Sequence, residues 1–368
     1  MSDAVLRMIV ATSKVMDVHL LTSLPLRGTL ATQLKEQYGV TLHQVEMKDD
    51  SGLFGYVDYN KNVRACVEKC HPHIVHVHGA WDVKAAIAQR CARKMKLVTI
   101  VSPHRGLAPE IMEIDFWKSR LWKMLLYQAQ MVSRSTAVVA INEKERNDIM
   151  SLGLKKRIEV LPEMTGQNTS ELTAMLTESY RKALDSSYRL FLLENETKFL
   201  NATVRTAVAD EDVKTEIPSL GGLSFRRISF LAYDESATEL MQRGARKADL
   251  ILPQSTDAAK LPRYKNKNAK SLLSLEEMSK TIEVKRIEEV HTEERRAVQM
   301  IVQAQAMGTK RMTLGNWVEL YDLFRNRDFN EDTVGQELRR RRLKKFTKKL
   351  QKSLTSRFEL KEGYVIFQ

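Results

Sequence analysis

The chain has 368 residues, 43% hydrophobic and 29% charged, with three cysteines and a formal net charge of +13. That length predicts about two domains. The apolar share excludes wholesale disorder, and so few cysteines exclude a disulfide-stapled scaffold. No apolar run approaches the ~20 residues that cross a bilayer, and Met1–Ala11 lacks a signal-peptide profile. The expectation is a soluble cytoplasmic protein with free thiols at Cys66, Cys70 and Cys91. The positive charge is local: between Leu338 and Arg357 stand ten basic residues and no acid, while the rest of the chain is nearly balanced.

Through residue 165, short apolar runs alternate with helical patterns. Asp17–Ser23 reads as a buried strand, followed by a Pro25/Gly28 loop, a helix over Thr29–Gln37 and a strand over Val40–Met47. Ile74–His78 is a strand, Lys84–Lys94 a helix, and Leu97–Val101 a strand leading into Ser102-Pro103-His104. Helical stretches then run to about Val132, and Thr136–Ile141 and Ile158–Leu161 supply two further strands around a helix. Such alternation requires right-handed crossovers and a mostly parallel sheet covered on both faces, a doubly wound α/β domain.

Beyond Pro162 the helical period takes over. Helices are predicted over Leu172–Leu192, Glu196–Ala209 and Phe225–Ala248, with Pro218–Gly222 as a break. Residues 166–258 thus form a helical region and 259–272 a Lys/Asn-rich linker. Residues 273–368 form a helical C-terminal region. Its predicted elements are a long charged helix (Leu275–Met307), helices near Leu314–Phe324 and Thr333–Thr355, and a closing strand over Glu359–Phe367.

Cys66, Cys70, His71 and His73 offer ligands suited to zinc. Their spacing matches no standard zinc module, and the plainer reading is a helix end, a turn and a strand; no metal site is expected. Alternation puts His76 and His78 on one face of their strand, with His78 at its carboxyl end. His104 ends the next strand. Loops at the carboxyl ends of neighbouring parallel strands border the ligand crevice of such sheets. The loops His78-Gly79-Ala80-Trp81 and Ser102–Gly106 are therefore candidates for a shared site, the alternative being ordinary turns. Imidazole offers a donor and an acceptor, and Gly106 permits close backbone approach. In the helical half, the pairs Glu276-Glu277, Glu288-Glu289 and Glu293-Glu294 interleave with cations, as on a solvated, ion-paired helix face. Trp317, Tyr321 and Phe324 read as a core stripe. The 338–357 segment is amphipathic and admits three readings: a core-packed helix with a solvated basic face, an anionic membrane surface, or, less favoured, nucleic acid.

The ordered run His76-Val-His-Gly-Ala-Trp81, Ser102-Pro-His-Arg-Gly106, Ala140-Ile-Asn-Glu-Lys-Glu145, Gly153 and Ile158-Glu-Val-Leu-Pro162 resembles family 4 glycosyltransferases. The resemblance covers about Asp17–Pro162. It implies a Rossmann-like, acceptor-side N-terminal domain of a GT-B enzyme, retaining and without a cofactor or metal. It makes His104 the catalytic candidate and Gly28, His78, Gly79, Ser102, Arg105 and Gly106 substrate-binding candidates. This sequence departs from the family pattern in having Asn142 for a serine, Arg105 inserted before Gly106, and Glu163-Met164 for Asn-Gly. The family's donor domain carries two glutamates spaced eight apart after a glycine-rich loop. Around Pro218–Phe225 those places fall to Gly222 and Phe230. The expectation is a diverged glycosyltransferase-like protein, linked to cell-surface polysaccharide assembly and lacking a recognisable donor domain. It would sit in the cytoplasm or at the inner membrane surface, with a sugar or glycolipid acceptor as ligand. The alternative is a non-catalytic scaffold that partners an intact transferase.

Overall fold

The computed structural model describes residues 3–23, 26, 28–46, 52–154, 157–161, 169–209, 216–253, 292–326 and 328–358. The chain divides into two compact units, Met1–Leu190 and Phe191–Gln368.

The first unit is α/β. All of its strands pair in parallel: β1 (His19–Thr22) with β2 (Thr41–Gln44), and β3 (Ile74–His78), β4 (Val98–Ser102), β5 (Ala137–Ala140) and β6 (Ile158–Val160) in that spatial order. Strands β4 and β5 are buried along their whole length, as expected of a sheet covered on both faces. The crossovers are helical. Helix α2 (Thr29–Thr32, continuing as a π-turn to Gln37) joins β1 to β2, and α3 (Gly52–Cys70) leads to β3. Helix α4 (Val83–Lys94) joins β3 to β4, with Asp82 capping its first turn by accepting from the Lys84 N–H. Between β4 and β5 the chain passes through α5 (Pro109–Glu113), a π-turn (Phe116–Arg120), α6 (Leu121–Lys123), a second π-turn (Met124–Gln128) and α7 (Ala129–Ser133). Helix α8 (Glu143–Ser151) joins β5 to β6.

Two further helices belong to this unit. Helix α1 (Asp3–Ser13) precedes the first strand and packs against α9 (Thr169–Ser186), which also touches β4. Thr173 on α9 donates its hydroxyl to the Ala11 carbonyl, 3.1 Å away. Because α9 folds back in this way, the first unit extends to Leu190, past the boundary expected at residue 165.

In the second unit, every regular element among the described residues is an α-helix. They are α10 (Glu194–Val208), α11 (Phe225–Asp234), α12 (Thr238–Lys247), α13 (Thr292–Met307), α14 (Leu314–Asn326), α15 (Glu331–Arg340) and α16 (Lys344–Phe358). The linker 259–272, the first part of the predicted long helix and the predicted closing strand lie outside the described residues. Two predicted helices are each split in two, at Ser236 and at Arg342. Both residues are left-handed (φ 51° and 58°), and a backbone bond closes over each, Ala237 N–H to Ala232 O and Leu343 N–H to Leu338 O, both 2.8 Å. That is the Schellman helix end without its usual glycine. Trp317, Tyr321 and Phe324 are buried as a core stripe. Glu294 is also buried, and its carboxylate accepts from the Asn330 N–H at 2.7 Å; this one acid of the predicted ion-paired face tethers the start of α15. Leu338, Leu343, Leu350 and Leu354 are buried as well. The apolar side of the basic segment is thus consumed by the core; its lysines are exposed, while Arg340 and Arg341 pair with Glu337 and Arg357 stacks over the Trp317 ring.

Candidate functional site

At the carboxyl edge of β3 and β4, strand register sets His78 opposite Ser102 and His76 opposite Ile100. Period-two alternation puts both histidines on one face, and their rings lie 4.2 Å apart between centroids. His78 Nδ1 meets His104 Nε2 at 3.0 Å, with the rings stacked at 5.2 Å. The two histidines picked from separate loops are therefore hydrogen-bonded to each other.

Behind them stands a supporting layer. His76 Nδ1 is 2.8 Å from the Tyr180 hydroxyl of α9, and its Nε2 is 2.8 Å from Ser102 Oγ. A phenol donating to Nδ1 leaves the ring proton on Nε2, where it is given to Ser102. Ser102 is fully buried, and its carbonyl accepts the Gly79 N–H at 2.8 Å. Ser102 therefore holds His76 and the Gly79 turn from within the protein.

Burial and the crowding of imidazoles keep His76 and His78 neutral. His78 is held down at about 3, first by burial and then by His104. His76 lies well below its ordinary 6.5, by burial and then by His78 and His104. Burial also pushes the Tyr180 phenol up to about 12. Near neutral pH the cluster offers uncharged donors and acceptors, suited to hydroxyl groups more than to carrying a cation.

The two loops are locked by their own contacts. The Trp81 indole N–H donates to the Gly106 carbonyl at 2.6 Å, and the Tyr127 hydroxyl donates to the Trp81 carbonyl at 2.8 Å. A Cβ on Gly106 would lie 2.6 Å from the Ala80 Cβ and 2.9 Å from the Pro103 carbonyl. The close approach that demands glycine here is between the two loops. Left-handed backbone clusters at Gly79, Trp81, His104 and Arg105, with φ of 102°, 64°, 51° and 62°. Three of these residues are not glycine, and each such conformation costs roughly 1–2 kcal/mol, which the surrounding bonds must offset. Arg105 turns its N–H to Glu145 Oε1 at 2.6 Å, and its side chain is exposed. Gly28 follows β1 in left-handed backbone (φ 73°) with open space where a Cβ would stand.

Glu145 is the residue that sequence reading quoted without a role. It is buried, and its two carboxylate oxygens accept the N–H groups of Arg105 and Ile141, at 2.6 and 2.8 Å. Asn142 Oδ1 accepts the Glu145 N–H at 2.8 Å. Asn-x-x-Glu at a helix start is a capping box in all but the last partner, since the glutamate reaches one residue further back. Asparagine caps as well as serine does, so the substitution at 142 preserves the function of the position.

Residues 5–163 match the family described as the glycosyl transferase 4-like domain. This part of the chain is a glycosyl transferase 4-like domain. Within it, the histidine pair occupies the strand ends from which the His-x-His-Gly and Ser-Pro-His loops depart. Glu145 ties the latter loop to the start of α8, inside the same matched stretch. No curated protein and no solved structure matches the chain. Tyr180 lies beyond the matched stretch, and a helix that sequence assigned to another region gave no sign of facing β3. In the second unit, Gly222 sits exposed in left-handed backbone before α11, and Phe230 is buried in α11 beneath the Arg226 guanidinium, 5.3 Å from its ring centroid.

Proposed function

We propose that this protein is a diverged glycosyltransferase-like protein of cell-surface polysaccharide assembly, which holds a sugar or glycolipid acceptor and lacks a nucleotide-sugar donor site of its own. The observation that carries the reading is the hydrogen-bonded His78–His104 pair at the sheet edge of a glycosyl transferase 4-like domain. A hydrogen-bonded pair of imidazoles can accept from one sugar hydroxyl and donate to another, and His104 is the ring on the outer loop. His76, Ser102 and Tyr180 position that pair. A retaining transfer also needs cations or backbone donors on the leaving diphosphate and polar groups that orient the sugar. In the second unit the places of the donor-side carboxylates fall to Gly222 and Phe230. These two residues favour a second reading, in which the chain is a non-catalytic acceptor-binding partner of an intact transferase.

A lipid-linked acceptor is supported by the surface of the β4–β5 crossover. Trp117, Trp122, Leu125 and Leu126 are 60–78% exposed there, interleaved with Lys118, Arg120 and Lys123. Aromatic and aliphatic side chains among cations suit the headgroup level of an anionic membrane. No described helix is long and apolar enough to cross a bilayer. We therefore place the membrane contact on residues 117–126 in preference to 338–357, whose leucines are committed to the core. The test is a melting-temperature screen of the full chain against nucleotide sugars and against anionic vesicles carrying glycolipid. The reading expects no shift with the former and a shift with the latter that His104→Ala diminishes; the reverse pattern would overturn it.

A further inference from the structure

At the C-terminal end of α3, three metal-ligating atoms converge. His19 Nδ1 of β1 lies 2.9 Å from His43 Nε2 of β2, and Cys70 Sγ of α3 lies 3.3 Å from the same His43 nitrogen. All three atoms fall within 4.8 Å of one another. The two imidazoles stack at 5.2 Å with their planes 15° apart.

His43 Nε2 carries either one proton or one in-plane lone pair, so His19 and Cys70 compete for a single full hydrogen bond to it. The Cys70 thiol also has Cys66 as a partner. A cation at the centre removes the conflict, because three lone pairs can then point inward together.

We infer that His19, His43 and Cys70 form a binding site for a borderline-soft divalent cation of the zinc type, with the fourth position open to water. Two imidazoles and a thiolate are the ligand types such ions prefer. Bonds of about 2.0 Å to nitrogen and 2.3 Å to sulfur at tetrahedral angles set ligand atoms about 3.3–3.6 Å apart. The two short separations need to open by only a few tenths of an ångström, and the third, at most 4.8 Å, to close by up to about 1.3 Å, within reach of side-chain rotation. His19 is exposed, and His43 and Cys70 are half-buried, so an ion can enter from solvent without unfolding. The ligand set weighed from sequence spacing, Cys66 and Cys70 with His71 or His73, misses this one because His19 and His43 come from separate parallel strands. The bound ion would tie the end of α3 to the β1–β2 pair.

The test uses the full chain, stripped with a chelator and kept reduced. Zinc is titrated against a chromophoric competitor, and cobalt(II) is added separately to read thiolate-to-metal charge transfer. One ion per chain is expected, with a cobalt band that Cys70→Ser removes and an affinity that His43→Ala lowers by more than about a hundredfold, beyond the usual effect of losing an outer-sphere partner. His19→Ala, at an exposed position where folding is not at stake, should also weaken binding, and His71→Ala should not. Absence of stoichiometric binding, or binding indifferent to His43 and Cys70, would overturn the site; so would binding lost with His71 and retained with His19→Ala.

Discussion

Gly106 and Glu145 hold the Ser102–Gly106 loop from two sides, one through the absence of a side chain and the other through a buried carboxylate. Alanine at 106 would drive its Cβ into Ala80 and the Pro103 carbonyl. Overpacking of this kind costs about 1–3 kcal/mol, so Gly106→Ala should lower the melting temperature by several degrees. Adding Ala80→Gly should return part of the loss, since it removes the nearer obstacle; no rescue in that double mutant would place the strain elsewhere. The histidines give a second residue-level expectation. In the unfolded chain His78 takes up a proton near its ordinary 6.5, whereas in the folded protein it stays neutral down to about 3. Unfolding therefore takes up protons between those limits, and stability falls as pH drops through that window. His76 acts in the same direction. Chemical denaturation across pH 7 to 4 should show this slope, and His78→Gln should flatten it. An unchanged slope in that variant would mean that His78 does not contribute.

At the scale of elements, the parallel strands were legible because their apolar runs are short and their ends are marked. Ile74–His78 is found with the predicted bounds, and the loops flanking β3 and β4 carry the family's motif. What escaped has physical causes. Helices normally announce their ends with glycine, but here Ser236 and Arg342 take the left-handed position, so two helix pairs read as single long helices. Tyr180 and Glu145 act through tertiary contacts, which periodicity does not encode, although the Asn142–Glu145 spacing was a usable signal for the second. In the exposed crossover, predicted simply as helix, Trp117 stands in the first π-turn and Trp122 in α6. Sedimentation with anionic vesicles checks its role. The full chain should pellet with them and less so with neutral ones, and Trp117→Ser with Trp122→Ser should cut the bound fraction severalfold while leaving the melting temperature unchanged. Equal binding by that variant would remove the crossover from the membrane account, and would return attention to the solvated cations of α16.

On the scale of the whole molecule, the chain joins a glycosyl transferase 4-like α/β unit to a second unit whose described elements are all helical. The account's central claim is that the first unit keeps the acceptor-side histidines while the chain by itself holds no nucleotide-sugar donor. A binding site with a Kd of about 100 μM would, at about 1 mM ligand, stabilise the fold by RT ln 11, about 1.4 kcal/mol. For a protein of this size that moves the melting temperature by about two degrees or more, well within the reach of a thermal-shift assay. The measurement is therefore the melting temperature of the full chain with and without common uridine- and guanosine-diphosphate sugars at about 1 mM. The account predicts no shift with any of them. A clear rise with one of these sugars, abolished by His104→Ala, would contradict it and show that the chain binds a donor after all.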